Sequence, residues 1–303
     1  MTDSVLIVGT GALACLFAAR LAEAGERVTL LGTWPEGLEA LRSQGVRLVE
    51  PDGSERAYPV EVITDLPVRD PFSLALVLVK SWQTGRAARQ LADCLSAKGL
   101  ALTLQNGLGN REMLLERLGA PRVALGVTTY GATLKGPGRV RPGGAGTLSI
   151  GRHPRLAPLE GLLRGAGFLV ELVDDVDSLL WGKLVINAAI NPLTALLQVS
   201  NGELLNRPES RELLAFAARE AATVAAACGQ RLTYPDPVAA TEAVAFQTAS
   251  NTSSMLQDVL RGAPTEIDAI CGAIVAAGER CGISVPVNRV LWLLVKALVH
   301  QER

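Results

Sequence analysis

Val5-Leu6-Ile7-Val8-Gly9-Thr10-Gly11-Ala12-Leu13-Ala14 reads as a strand, a glycine-rich turn and the start of a helix. Four consecutive aliphatic residues suit a strand buried on both faces of a parallel sheet. The next six fit G-x-G-x-x-G/A, with Ala14 in the third position. In that pattern the first glycine turns the chain tightly and the second lets the backbone approach a pyrophosphate. The small third residue lets the helix pack close to the strand. The helix N-terminus then offers unpaired N–H groups and a positive dipole end to the phosphates. The expectation is a dinucleotide held by Gly9, Thr10, Gly11, Ala12, Leu13 and Ala14. The bland alternative is a strand–helix turn with no ligand.

Outward from that turn, short apolar runs alternate with helical patterns, as in βαβ units around a parallel sheet. Strands are predicted at residues 4–8, 28–31, 74–79, 100–104, 123–128 and 168–173. Helices are predicted at 13–24, 38–43, 84–95 and 110–118. The Gly- and Pro-rich stretch 136–146 reads as a hairpin or crossover loop near the sheet edge. Beyond the acidic run Asp174-Asp175-Val176-Asp177 the pattern becomes helical, with apolar positions at helical spacing in 211–228, 238–246, 254–260, 266–281 and 288–300. The expected fold class is α/β, with a Rossmann-type parallel sheet in residues 1–174 and an all-α second domain in residues 175–303.

Length agrees with two domains, since 303 residues exceed what one core usually serves. A formal charge of −1, from 29 basic and 30 acidic residues, offers no basic field for nucleic acid. No stretch reads as a membrane span or a signal peptide, the apolar run 290–299 being interrupted by Lys296. Five cysteines, at positions 15, 94, 228, 271 and 281, make an odd, widely spaced set without Cys-x-x-Cys. That argues against a disulfide framework and a zinc site, and for a reducing cytoplasm. His153, beside Pro154, and His300 are the two histidines, and both read as ordinary surface residues. A proton donor must be sought elsewhere.

In open α/β sheets, ligands lie beyond the carboxyl ends of the strands. Lys80 follows one predicted strand and Gln105-Asn106-Gly107 follows another. The alternatives are a solvated strand-end lysine and an Asn-Gly turn. After the second strand, Gly32-Thr33-Trp34 lacks the acid that would hold the ribose hydroxyls of NAD, and none occurs before Glu36. This leaves room for a 2′-phosphate, which Thr33, or Arg42 from the next helix, could serve. NADPH is therefore expected over NADH.

Trp181-Gly182-Lys183-Leu184-Val185-Ile186-Asn187-Ala188-Ala189-Ile190-Asn191-Pro192 carries the densest chemical information. In a helix Lys183, Asn187 and Asn191 stack at i, i+4 and i+8 on one face. A solvent-facing stripe would favour Glu, Lys, Arg and Gln, whereas Asn is a poor helix former. Two asparagines among aliphatic residues read instead as a polar seam for a polar ligand. Pro192 removes one backbone bond and should kink the helix. Glu266 alone could be a first-turn acid and Ser254 an N-cap.

Taken together these segments resemble the ketopantoate reductases (2-dehydropantoate 2-reductases). The resemblance spans nearly the whole chain. It rests on Gly9 to Ala14, Lys80, Gln105-Asn106-Gly107, Trp181-Gly182-Lys183-Leu184 with Asn187, and Asn191-Pro192-Leu193-Thr194. It continues through Asn201-Gly202-Glu203-Leu204, Ser253-Ser254-Met255-Leu256-Gln257-Asp258 and Thr265-Glu266-Ile267-Asp268. It implies an active site in the cleft between a Rossmann domain and a helical domain. It implies Lys183 as proton donor, and Asn187, Asn191, Asn201 and Ser254 as groups holding a 2-oxo acid. Asn106 would touch both cofactor and substrate, with Lys80 and Glu266 at the nicotinamide end. Family members commonly use NADPH in pantothenate and coenzyme A synthesis. Another 2-oxo acid and a non-catalytic dinucleotide sensor are the competing readings; a sensor gives no reason to keep a lysine above two asparagines. No metal is expected, and the sequence is compatible with a homodimer without fixing the oligomeric state.

Overall fold

A computed structural model describes residues 4–50, 52–64, 66 and 71–299. Contacts divide the chain into two compact units, Met1–Gln105 with Asn110–Val176, and Asn106–Gly109 with Asp177–Arg303. The second unit thus takes a four-residue piece from the middle of the first, which no local pattern in the sequence signals.

The first unit runs β1 (Val5–Val8), α1 (Ala12–Glu23), β2 (Val28–Leu31), α2 (Pro35–Gln44), β3 (Val46–Val49), β4 (Glu55–Tyr58), β5 (Glu61–Ile63) and β6 (Phe72–Val77). It continues α3 (Thr84–Cys94), β7 (Leu95–Thr103), α4 (Asn110–Leu118), β8 (Val123–Thr128), β9 (Ala132–Gly136), β10 (Arg139–Pro142), β11 (Leu148–Gly151), α5 (Ala157–Gly165) and β12 (Val170–Val173). Eight strands form one sheet in the order β12-β11-β8-β7-β6-β1-β2-β5. All its neighbours pair in parallel except β11 against β8. The chain leaves β1 toward β2 and returns to β6 on β1's other side, so the topological switch point lies between β1 and β6. That is the crevice where open α/β sheets bind ligands.

Both sheet faces are covered. On one, Phe17 of α1 stacks on Phe168 with ring centroids 4.3 Å apart, and Tyr130 meets Phe168 edge-on at 5.2 Å. On the other, Ala87, Ala88 and Leu91 of α3 join Leu114 and Leu118 of α4 over the strands. The stretch 136–146 is in part a hairpin, since β9 and β10 pair antiparallel. It belongs, however, to a separate four-stranded sheet, ordered β4-β3-β10-β9, that packs on α1 rather than extending the main sheet. This sheet and α5 escape a reading by periodicity. Strand β4 is Glu-Arg-Ala-Tyr and mostly exposed, and α5 is only nine residues long with Gly161 inside it.

The second unit comprises α6 (Val176–Leu197), α7 (Glu203–Asn206), α8 (Pro208–Ala227), α9 (Pro237–Gln247), α10 (Ser254–Leu260), a π turn at Asp268–Gly272, α11 (Ala273–Cys281) and α12 (Pro286–Val299). His300 lies outside the described residues. Helix α6 is long and apolar enough to cross a membrane by length and composition, yet most of it is buried inside the protein. Trp181, Leu184, Val185, Ala188, Ala189 and Leu193 belong to one core with residues of α8, α11 and α12. It is the central helix of the bundle, and its apolar character follows from burial on nearly every side. Caps fix its neighbours. Asp236 accepts from Val238 N and Ala239 N at the start of α9, and Glu220 of α8 accepts from Val287 N and Asn288 N at the start of α12.

Pro192 lies inside α6 without ending it. Its missing N–H orphans the carbonyl of Ala188, four residues earlier. The Cys271 thiol donates to that oxygen at 3.7 Å. A buried carbonyl thus regains a partner, and the π turn is tied to the lysine-bearing helix.

Candidate functional site

The loop after β1 meets the needs of a pyrophosphate. Gly9 has φ +131, and a Cβ there would stand 2.8 Å from the Leu78 carbonyl oxygen. Only glycine lets β1 turn this close to the β6 tip. Gly11 is the N-cap of α1 at φ −78, ψ −175, with no side-chain cap on the helix. A Cβ on Gly11 would meet nothing within 4 Å, so the space above the free helix N–H groups is open. Ala14 is fully buried, as close helix packing requires. Gly32, to which the sequence reading assigned no role, has a Cβ position only 2.5 Å from Thr10 Cγ2. Its absent side chain lets the tips of β1 and β2 meet.

Thr33 at the β2 tip is exposed. Arg42 lies in the last turn of α2, seven residues from Pro35 and hence about 10 Å along the axis. That places it at the far end of the helix from Thr33 and counts against Arg42 as a 2′-phosphate ligand.

Lys80 is half-buried at the β6 tip and N-caps a short 3₁₀ turn. The adjoining β7 tip is locked by a buried amide. Gln105 Nε2 donates to Val79 O at 2.9 Å and to Thr84 Oγ1 at 2.7 Å, while Thr103 Oγ1 donates to Gln105 Oε1 at 3.0 Å. Gln105 therefore fixes the two strand tips against each other.

Within the second unit, Asn106, Lys183 and Glu266 come together. Asn106 Nδ2 reaches Glu266 Oε2 at 3.5 Å, and the Glu266 carboxylate acts electrostatically on the Lys183 ammonium. Glu266 is 5% exposed. It precedes the π turn rather than sitting in a capped first α-turn, so first-turn acid is not its role. Lys183 keeps some exposure as a residue, but protein atoms crowd its ammonium. Burial pushes its pKa down to about 8, and the Glu266 carboxylate limits the fall. Tyr234 holds the backbone beside it, donating from its hydroxyl to Gly182 O at 2.7 Å.

Asn187 and Asn191 continue the face of α6 that begins with Lys183. Asn187 is half-buried and Asn191 buried. The N-cap of α10 is Ser253, not Ser254. Ser253 Oγ accepts from Leu256 N at 3.1 Å and from Thr194 Oγ1 at 2.7 Å. Ser254 is left exposed on the first turn, and the Thr194–Ser253 bond ties its helix to the α6 segment bearing Asn191. These two positioning hydroxyls lie 59 residues apart, which hides the pairing from any local reading. Asn201 is buried, donates from Nδ2 to Thr248 Oγ1 at 2.8 Å, and leaves Oδ1 without a protein partner. Gly202 beside it has no room for a Cβ, which would lie 2.6 Å from Ala249 Cβ.

His153 sits in a turn, its Nδ1 accepting from Arg155 N at 3.1 Å. Among the described residues, no cluster of three or more His, Cys, Asp or Glu is placed to hold a metal ion.

Known proteins match along the same lines. The family described as "Ketopantoate reductase PanE/ApbA" matches residues 5–155, and its C-terminal companion, "Ketopantoate reductase PanE/ApbA C terminal", matches residues 175–299. A 2-dehydropantoate 2-reductase of Halobacterium salinarum is 39% identical over 96% of this chain and 97% of its own. A crystal structure of a PanE/ApbA family ketopantoate reductase from Ralstonia eutropha JMP134 is 35% identical, with TM-score 0.90 over 98% of each chain. A ternary structure of D-mandelate dehydrogenase with NADH and anilino(oxo)acetate superposes with TM-score 0.91 at 25% identity, again over 98% of each chain. A glycine-rich β1 loop, a helix carrying Lys183 above two asparagines, and family matches over both parts of the chain converge on one assignment: the chain belongs to the ketopantoate reductase PanE/ApbA family of oxidoreductases.

Proposed function

We propose that this protein is a cytoplasmic, NADPH-dependent 2-dehydropantoate 2-reductase serving pantothenate synthesis. The carrying observation is the Lys183 ammonium, with its pKa pushed down to about 8 beside Glu266 on the helix that also presents Asn187 and Asn191. The open space at Gly11 and the uncapped start of α1 fit a pyrophosphate, and the bound nicotinamide supplies the hydride. Gly9, Thr10, Gly11, Ala12, Leu13 and Ala14 would hold the phosphates, and Thr33 would serve the adenosine ribose. Lys80, Asn106 and Glu266 would serve the nicotinamide end.

Lys183 stabilises the negative charge growing on the C2 oxygen and then gives it a proton. Glu266 keeps that ammonium charged, and Asn106 holds Glu266 in place. Asn106, Asn187, Asn191 and Ser254 hydrogen-bond the 2-oxo acid, while Asn201 Oδ1 accepts from the substrate hydroxyl. A buried acceptor of that kind discriminates strongly, because a substrate without the hydroxyl leaves it unpaired. The likeness to D-mandelate dehydrogenase supports a second reading, reduction of a different 2-oxo acid. Following NADPH oxidation with ketopantoate, 2-oxoisovalerate and phenylglyoxylate separates the two. Ketopantoate should lead by orders of magnitude in kcat/KM, and a lead for phenylglyoxylate would establish the second reading.

Two further results follow. Asn191 is 6% exposed, so Asn191→Ala strips a buried hydrogen bond worth about 1–3 kcal/mol. Calorimetry should show ketopantoate affinity falling roughly 5- to 150-fold by that figure, with NADPH affinity unchanged; the reverse pattern would move the asparagine stripe to the cofactor. With no acid at the β2 tip, kcat/KM should favour NADPH over NADH, and the opposite preference would refute the cofactor assignment while leaving the fold intact.

Helices α8 and α12 pack together and expose Leu213 and Phe216, and Val290, Leu293 and Leu294, respectively. These support a homodimer, which sedimentation equilibrium would reveal as twice the chain mass.

A further inference from the structure

Two of the five cysteines lie side by side at a place with no part in the chemistry above. Cys228 caps the C-terminus of α8, and Cys281 is the last residue of α11. Their sulfurs are 3.2 Å apart although 53 residues separate them in sequence. Each is followed by a glycine with positive φ, Gly229 at +75 and Gly282 at +69, so two helices end alongside each other in matching Cys-Gly termini. Cys281 is exposed and Cys228 half-buried, while Cys15, Cys94 and Cys271 are buried. A disulfide bond is about 2.05 Å long, so closing the pair takes a movement of about an ångström at two helix ends where the chain already turns on glycine.

We propose that Cys228 and Cys281 form a reversible disulfide, a modification site that staples α8 to α11 when the protein meets a low-molecular-weight disulfide. The exposed Cys281 thiolate attacks one sulfur of the oxidant, forming a mixed disulfide and releasing one thiolate. Cys228, deprotonated in its turn, then attacks the Cys281 sulfur and expels the second thiolate. The protein loses two thiol hydrogens as protons and two electrons. The small disulfide takes up both electrons and becomes two thiols. The order follows from access, since Cys281 is exposed and Cys228 half-buried. Burial also pushes the Cys228 thiol up, which suits a resolving rather than an attacking role. The other three are shielded, with burial pushing Cys15 up to about 12 and Cys94 up to about 11.

The consequence is mechanical. Closing a 53-residue loop limits the unfolded chain, and for a protein of this size that corresponds to a rise in Tm of about 5–10 °C.

The full-length protein is titrated with glutathione disulfide in glutathione buffers, then mapped by non-reducing peptide mass spectrometry with thiol counting and thermal melting. The expected result is loss of two of the five thiols, one cross-linked peptide joining Cys228 to Cys281, a higher Tm, and recovery of all thiols with dithiothreitol. Cys281→Ser should abolish the cross-link and the Tm rise. Cys228→Ser should instead stop at a mixed glutathione disulfide on Cys281. Any of three outcomes overturns the proposal: no thiol loss, mixed disulfides on both cysteines of the unsubstituted protein without a cross-link, or a bond between two copies of the chain through Cys281.

Discussion

Replacing Lys183 with alanine should lower kcat by at least about two orders of magnitude, within the roughly 10²–10⁴-fold range of general acid–base catalysis. Dinucleotide binding should persist, since the glycine-rich loop is built from β1 and α1. The pH profile carries the more specific expectation. The donor must be protonated, and its pKa in the free protein is pushed down to about 8. The kcat/KM profile should therefore fall as pH rises through about 8, one proton being lost per site. A bound substrate carboxylate raises the ammonium's pKa, so the basic limb of kcat should lie at higher pH than that of kcat/KM. Both limbs should vanish in Lys183→Ala. Steady-state rates between pH 6 and 10 test this, and near-normal kcat at saturating ketopantoate would pass the proton role to Lys80 or an ordered water.

The two glycines of the β1 loop should differ sharply in how much stability they lose to alanine. Gly9 combines φ +131 with a Cβ position 2.8 Å from a backbone oxygen. Gly9→Ala should cost about 1–3 kcal/mol in backbone strain alone, with the clash against β6 added. Gly11, at φ −78 and ψ −175, is in a conformation alanine adopts freely, with no neighbour to strike. Gly11→Ala gains about 0.4–1 kcal/mol by restricting the unfolded chain but gives up glycine's advantage over alanine at the N-cap it occupies, so stability should change little, while its methyl group occupies the approach to the pyrophosphate. Thermal melts and NADPH titrations separate the effects: Gly9→Ala lowers Tm, whereas Gly11→Ala nearly holds Tm and loses affinity. A Gly11→Ala protein binding NADPH as tightly as the parent would remove the loop from the cofactor site.

The fold class was legible because its decisive elements are local. Periodicity and turn residues place β2, β8, α4 and α10 at their observed bounds, and the β1 loop carries its own punctuation. What periodicity could not show is tertiary. Strand β4, Glu-Arg-Ala-Tyr, is charged and mostly exposed and gains strand character only from pairing with β3. Of the site, the Lys183-Asn187-Asn191 stripe could be read because an α-helix has a fixed repeat. The approach of Asn106 to Glu266 spans 160 residues and has no local cause. Ser253 was missed as the cap because two serines in a row satisfy the same pattern, and only Thr194 distinguishes them. The Cys271 thiol under Pro192 was equally invisible, since it answers a vacancy 83 residues away.

The segment Asn106–Gly109 bears on how this protein can be divided and how it is made. Leu108 N donates to Ala269 O at 2.9 Å, and Gly107, at φ +82, has a Cβ position only 2.3 Å from the same oxygen. A fragment beginning at Asp177 would therefore leave the Ala269 carbonyl and the Glu266 carboxylate without these partners. A fragment ending at Val176 would carry four residues with nothing to dock on. No single cut yields two whole halves. During synthesis the ribosome releases those four residues long before the helices that receive them, so the helical half is completed last, around a piece the N-terminal half has already delivered.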